Sequence, residues 1–446
     1  MSKNSNMNSK KPWVYFIAIC GTGMGAVAVV LKSKGYRVTG SDIDFYPPIS
    51  DLLRKTGVKI ETGFDATRIS SQIDMVVIGG SALIDDRNNP EFVQAKKLKL
   101  PIKTYPELIA EYVIRPESIV VAGTYGKTTV SAMIAWVFKN MKVDASYFVP
   151  GIAVDLPEPI HLGESSFSVA EGDEYPAAVF FDNESKFMFY KPKFVILTSV
   201  EWDHFDVFPK EKDYIQRFVN LMKIVPKDGL VVAPSSGKNV EKVLGFAGCK
   251  VVRFSSDNFS EQLQVIGRHN RANAAGVFTL LCELGFPRED IIKGLSNFRG
   301  VKRRLEVIYK DKNLVVINDF AQHPSRLKAS IDAVREEYKK RLVVVLDPHA
   351  SIFKDPTILK KLSTVFDKVD ALFILRLKLL KGRHKVTGPL IVKASGLSDV
   401  KTKYIPLDED LVKELLNQAK KGNCVIMFCS SGGIDSLIQK FVAKLK

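Results

Sequence analysis

Short apolar runs recur along the chain, each ended by glycine or polar residues and followed by a stretch with helical spacing. The first set is Val14–Ile19, Val38–Gly40, Met75–Gly80 and Ile102–Thr104. Runs apolar on both faces suit buried strands, and their alternation with helical stretches predicts parallel βαβ units. Ser118–Ala122, Phe167–Ala170 and Phe194–Val200 form a second set, and Leu314–Ile317, Leu342–Leu346, Ala371–Leu375 and Val425–Phe428 a third. The pattern divides into three α/β blocks with short linkers: 12–116, 117–299 and 300–446.

Length agrees with that division, because 446 residues exceed what one hydrophobic core supports. The apolar share of 46% is ample for several cores. No window reaches the ~18 apolar residues of a membrane span. The run after the polar N-terminus turns at once into glycines, so it reads as a first strand rather than a signal peptide. Cys20, Cys249, Cys282, Cys424 and Cys429 show no metal-ligand spacing, which points to reduced thiols in the cytoplasm.

The formal charge of +16 invites a nucleic-acid reading. Against it, lysines are spread along the chain and no basic stripe alternates with aromatics. The one local excess, Arg376 to Lys385, reads as a solvated helix end, a loop near an anionic substrate or a membrane-surface face. Small polyanions such as nucleotides explain a basic crevice more economically. The oligomeric state is left open.

The richest local string is Gly123-Thr124-Tyr125-Gly126-Lys127-Thr128-Thr129, set between an apolar run and a helical pattern from Val130 to Lys139. Such a turn aims backbone N–H groups and a helix N-terminus at an anion. Lys127 adds a point charge for outer phosphates, and Thr128 a hydroxyl for Mg²⁺. Val121 stands where the full phosphate-loop pattern has its first glycine, so an ordinary surface turn is the competing reading. Two further predicted strands run into Glu171-Gly172-Asp173-Glu174 and Glu201-Trp202-Asp203-His204. Strand ends of a parallel sheet share one edge, where ligands bind. Glu171 is the first candidate for the hard oxygen ligand that Mg²⁺ on ATP needs; acidic caps on solvated strands are the alternative.

The first block has its own turn, Gly21-Thr22-Gly23-Met24-Gly25-Ala26, with Asp42 after the next strand. This is a loose form of the dinucleotide fingerprint. Either phosphates approach a helix N-terminus here, or the turn is merely tight.

Six strings stand in an order that resembles the Mur ligase superfamily: Gly123–Thr129, Glu171–Glu174, Asp203-His204, His269–Asn273, Arg303–Glu306 and Asp319–Pro324. The resemblance spans about Tyr15 to Leu445. It implies three domains: a Rossmann-like UDP-sugar domain, a central P-loop ATPase domain and a Rossmann-like C-terminal domain. It also implies ATP-dependent amide-bond ligation with Mg²⁺, through an acyl phosphate. Two branches look most similar. One joins L-alanine to UDP-N-acetylmuramate; the other joins the recycled murein tripeptide L-Ala-γ-D-Glu-meso-diaminopimelate to it. Ile19–Thr22, Tyr46–Ser50, Glu174-Tyr175, Phe180–Asp182, Ser185–Phe187 and Gly432–Ile434 favour the second.

By the same resemblance, Lys127 meets the γ-phosphate, while Thr128, Glu171 and His204 hold metal. Gly123, Thr124, Gly126 and Thr129 complete the ATP loop, Asn270 and Asn273 contact adenine, Arg304 the γ-phosphate and Asp319 the ribose. Gly21, Thr22, Gly23, Met24, Gly25, Ser41 and Asp42 hold the UDP-sugar. Glu174, His323, His349 and Ser351 face the peptide. Departures stand at Tyr125 and Gln322, where relatives usually have histidine, and near Ala350, where an arginine is usual. They leave open a UDP-sugar- or nucleotide-binding regulator that no longer ligates. An NAD-dependent oxidoreductase would use the first turn alone, and the intact Gly-Lys-Thr with Glu171 argues against it.

Overall fold

The computed structural model describes residues 11–45, 49–80, 82–84, 86–204, 207–348, 356–377, 386–398, 401–430 and 434–445. The predicted apolar runs become strands of three sheets. In the first, Trp13–Ile17, Arg37–Asp42, Lys59–Thr62, Met75–Ile78 and Ile102–Thr104 are all parallel. Trp13–Ile17 lies at the centre, with the second and third strands on one side and the fourth and fifth on the other. The strand order therefore reverses beside the glycine turn, which opens the helix Thr22–Ser33.

The central sheet has seven strands. Glu117–Ala122 lies between Phe194–Leu197 and Phe167–Gly172, parallel to both. Their three ends, at Ala122, Leu197 and Gly172, thus share one edge. Two strands absent from the sequence pattern, Leu230–Pro234 and Lys250–Phe254, extend one side. The partly exposed residues of Lys250–Phe254 blur its apolar run, whereas Leu230–Pro234 is almost wholly buried. The third sheet runs Glu306–Lys310, Leu314–Asp319, Cys424–Cys429, Arg341–Leu346, Ala371–Ile374 and Thr402–Tyr404, with only the first strand antiparallel.

Several expected boundaries shift in a way that matters. The strand expected to stop at Ala170 continues to Gly172, so Glu171 is a strand residue paired with Val121 rather than a loop acid. Asp319 likewise ends the strand Leu314–Asp319. The helix after the phosphate loop starts at Lys127, because Gly126 adopts φ +85° and turns the chain into it. A Cβ there would be strained, and would lie 2.9 Å from Asn273 Oδ1.

Candidate functional site

The central loop is anchored from the neighbouring strand end. Thr124 N–H donates to the Ser199 carbonyl and Tyr125 N–H to Ser199 Oγ, both at 3.1 Å. Thr198 Oγ1 donates to the Tyr125 carbonyl at 2.5 Å. No side chain caps the helix Lys127–Asn140. Its first N–H groups, which have no helical acceptors of their own, are therefore left for an anion.

Lys127 Nζ lies 2.7 Å from both the Gly123 carbonyl and Glu174 Oε2. Glu174, expected at the peptide, is instead completely buried beneath the loop. Its other oxygen accepts from Tyr214 Oη at 2.9 Å and stands 3.4 Å from His204 Nε2. Burial would raise the Glu174 pKa, but Lys127 and His204 outweigh it and hold the carboxyl below its ordinary value. Asp173 is low for the same reason, with Lys186 at 2.6 Å as chief partner.

Glu171 behaves oppositely. Burial pushes its pKa up against the pull of Lys127, Thr128 and Arg304. Its Oε2 is buried with no hydrogen-bond partner among the described residues. An acceptor left unmatched beside a threonine hydroxyl suits a hard cation, so Thr128 and Glu171 fit Mg²⁺. Asp173, Glu174 and His204 also bring ligand atoms within 4.8 Å of one another. There, however, the carboxylates are tied to Lys127 and Lys186, so His204 is first a partner of Glu174. Burial would lower the His204 pKa, yet the surrounding acids raise it overall.

Positive φ at His204 (56°), Arg303 (58°) and Leu305 (51°) concentrates backbone strain around this edge. The third-domain loop carrying Arg304 is pinned by Asp319, whose Oδ1 accepts Leu305 N–H at 3.1 Å. Asp319 Oδ2 accepts from Ser330 Oγ at 2.5 Å. The carboxylate expected at a ribose is thus committed within its own domain and shapes the Arg304 loop. Arg304 stacks 4.6 Å from the Phe320 ring centre and forms no ion pair among the described residues. Burial and nearby Arg326 lower its pKa to about 10. A half-buried guanidinium short of carboxylates favours an incoming anion.

Asn270 donates to the Ile266 carbonyl at 2.8 Å and accepts from Asn273 at 3.3 Å. It holds Asn273 against Gly126, so Asn273 lies nearer the loop's ligand face. Thr129 is buried in the first helical turn.

In the first domain, Gly21 and Thr22 are exposed and Gly23 partly so. Met24 and Gly25 are buried; Gly23 lies against the Tyr105 ring and Gly25 against Ile49, where any Cβ would collide. These two glycines are accounted for by packing. Asp42 ties the turn by accepting Cys20 N–H at 2.7 Å. Ser41, expected at the UDP-sugar, is buried and donates to Glu91 at 2.5 Å, so it supports the turn from below. His323 is buried against Tyr125. Gln322, also buried, donates to the Asp347 carbonyl. His349 and Ser351, with most of the basic excess near Arg376, lie outside the described residues.

Sequence reasoning missed Ser199, Tyr214 and Arg326. Ser199 precedes the Glu201–His204 string and Tyr214 follows it, neither standing in it; Arg326 had a signal, since His323-Pro324 predicts a helix start and places it in the first turn.

Three family models match in succession: Mur ligase family, catalytic domain, over residues 14–115; Mur ligase middle domain, over 121–280; and Mur ligase, glutamate ligase domain, over 303–432. The chain is 29% identical to a UDP-N-acetylmuramate–L-alanyl-γ-D-glutamyl-meso-2,6-diaminoheptandioate ligase from Haemophilus influenzae, covering 97% of this chain and 99% of that one. It is 27% identical to a UDP-N-acetylmuramate–L-alanine ligase from Clostridium kluyveri, covering 94% and 95%. Among solved structures, a murein peptide ligase from Psychrobacter arcticus superposes with TM-score 0.71 at 24% identity, covering 97% and 98%. A UDP-N-acetylmuramate–alanine ligase from Thermotoga maritima gives 0.78 at 24% identity over the same shares. These two show the fold.

Proposed function

This chain belongs to the Mur ligase family, and on that premise we propose that it joins L-Ala-γ-D-Glu-meso-diaminopimelate to UDP-N-acetylmuramate, with conversion of ATP to ADP and phosphate. The observation that carries ATP-dependent ligation is the meeting of Lys127, Thr128 and the unmatched Glu171 oxygen at one sheet edge, with Arg304 close enough to influence Glu171. The likeness to the Haemophilus ligase over nearly all of both chains supports the peptide acceptor.

In this reading the loop N–H groups and Lys127 hold the β- and γ-phosphates. The sugar's carboxylate oxygen attacks the γ-phosphorus as the bond to the β-phosphate oxygen breaks, giving ADP and an acyl phosphate. The peptide amine then attacks the acyl carbon, loses a proton and expels phosphate. Thr128 and Glu171 would hold Mg²⁺, which would supply positive charge to the transferring phosphoryl group. The protein mainly positions and neutralises: Lys127 exchanges Glu174 for phosphate, and Arg304 approaches from the third domain. Docked domains exclude water from the acyl phosphate. We place the reaction in the cytoplasm.

The test is ADP release that requires UDP-N-acetylmuramate and an acceptor together. L-Alanine as acceptor is the second reading, favoured by the similarity to the Clostridium ligase. ADP release indifferent to UDP-N-acetylmuramate defeats both.

A further inference from the structure

The third domain reaches the phosphate loop through the first turn of its helix Pro324–Glu337. His323 caps that helix, its Nδ1 accepting Ser325 N–H at 3.4 Å. The same nitrogen lies 3.0 Å from Tyr125 Oη. Because Nδ1 already accepts, the phenol donates to it. Burial pulls the His323 pKa down to about 4, so the ring is neutral and that lone pair persists at neutral pH.

Three residues further on, Arg326 lays its guanidinium 4.6 Å from the centre of the Tyr125 ring. Its Nη2 donates to the Thr124 carbonyl at 2.9 Å, and it stands 3.9 Å from an Asp203 oxygen. Its Nε is buried without a hydrogen-bond partner among the described residues. Tyr125 is therefore held on both sides: its backbone by Thr198 and Ser199 of the central domain, its ring by Arg326 and His323 of the third. A planar guanidinium can stack on a phenol while also donating to a carbonyl, which an ammonium cannot match.

We propose that Arg326 is a positioning residue for phosphoryl transfer: with Tyr125 it clamps the phosphate loop to the third domain, so that Lys127 and Arg304 face the same phosphoryl group only when that domain is docked. This rests on the ligase reading for its kinetic consequence but not for the clamp itself. Arg304 belongs to the docking domain and Lys127 to the clamped loop, so a loose clamp separates the two charges without removing either. Small misplacements of this kind act on turnover more than on ground-state nucleotide binding.

The experiment uses the full-length chain and its Arg326→Ala, Arg326→Lys and Tyr125→Leu variants. In Arg326→Ala, kcat is expected to fall by about 10-fold or more while KM for ATP stays within about threefold. Arg326→Lys should recover only part of the loss. Tyr125→Leu should resemble Arg326→Ala, with the double variant little worse than either, as for two halves of one contact. In parallel, amide hydrogen exchange over 123–129 is followed with a saturating non-hydrolysable ATP analogue and Mg²⁺. Slower exchange in the unaltered chain than in Arg326→Ala supports the clamp without requiring any ligation. Equal exchange in the two chains overturns it, as does a kcat within about twofold of the unaltered chain, or a loss confined to thermal stability. Lack of UDP-linked product from the unaltered chain would defeat the ligase reading and leave the exchange result to decide the clamp.

Discussion

Lys127 and Glu174 form an ion pair of 2.7 Å beneath the phosphate loop, with the carboxylate wholly out of solvent. In the proposed reading, the ammonium offered to a nucleotide is thus stored against an acid, and phosphate binding would have to draw it away. The pairing makes Lys127 part of the domain's stability as well as of its proposed chemistry.

Replacing Lys127 by alanine is therefore expected to abolish detectable turnover and also to lower thermal stability. Removing one member of a buried pair costs about 3 kcal/mol, because the other charge is left uncompensated. Tyr214 and His204 still contact Glu174, so folding should survive. Adding Glu174→Gln should restore most of the melting temperature and none of the activity. Recovery of turnover in the double variant would remove Lys127 from the chemistry.

Glu171→Gln separates metal binding from folding. Its buried Oε2 has no hydrogen-bond partner among the described residues, so neutralising the group relieves desolvation and should leave stability unchanged or slightly higher. The Mg²⁺ concentration for half-maximal ATP turnover should rise by about 10-fold, because one hard ligand is lost. An unchanged Mg²⁺ titration curve would mean that Glu171 only closes its strand.

His204 gives a pH signature. Its pKa lies above the ordinary value: burial acts to lower it, but Glu174, Asp203 and Asp173 outweigh that. A raised folded-state pKa adds stability that is full below the unfolded value of about 6.5 and fades as pH rises through the folded value. In chelator, the melting-temperature advantage over His204→Gln should be larger near pH 6 than near pH 9. A difference constant with pH would show that the His204–Glu174 contact carries no proton-linked stability.

These partnerships mark where the sequence stopped being informative. Val120, Val169 and Val195 announced buried parallel strands, because local apolar pattern and strand burial are the same fact. Gly126 and Lys127 announced the loop, since turn chemistry is local too. That Glu174 lies under Lys127 rather than beside a peptide is not local: it depends on Phe167–Gly172 pairing with Glu117–Ala122 and on Tyr214 arriving from a later helix. Asp42 reads as a ligand contact from its place after the glycine turn, and Ser41 from the resemblance alone, yet their hydrogen bonds to Cys20 and Glu91 exist only once the sheet is assembled. Tyr125 reads in sequence as one of three departures, whereas in the fold Arg326 and His323 stand against its ring.

The central claim is the acceptor. Initial rates of UDP-linked product formation are to be compared for L-Ala-γ-D-Glu-meso-diaminopimelate and free L-alanine, each with UDP-N-acetylmuramate, ATP and Mg²⁺. The expected result is product with the tripeptide at a rate clearly above that with L-alanine. Faster product from L-alanine would contradict the peptide assignment, and no product from either would contradict ligation itself.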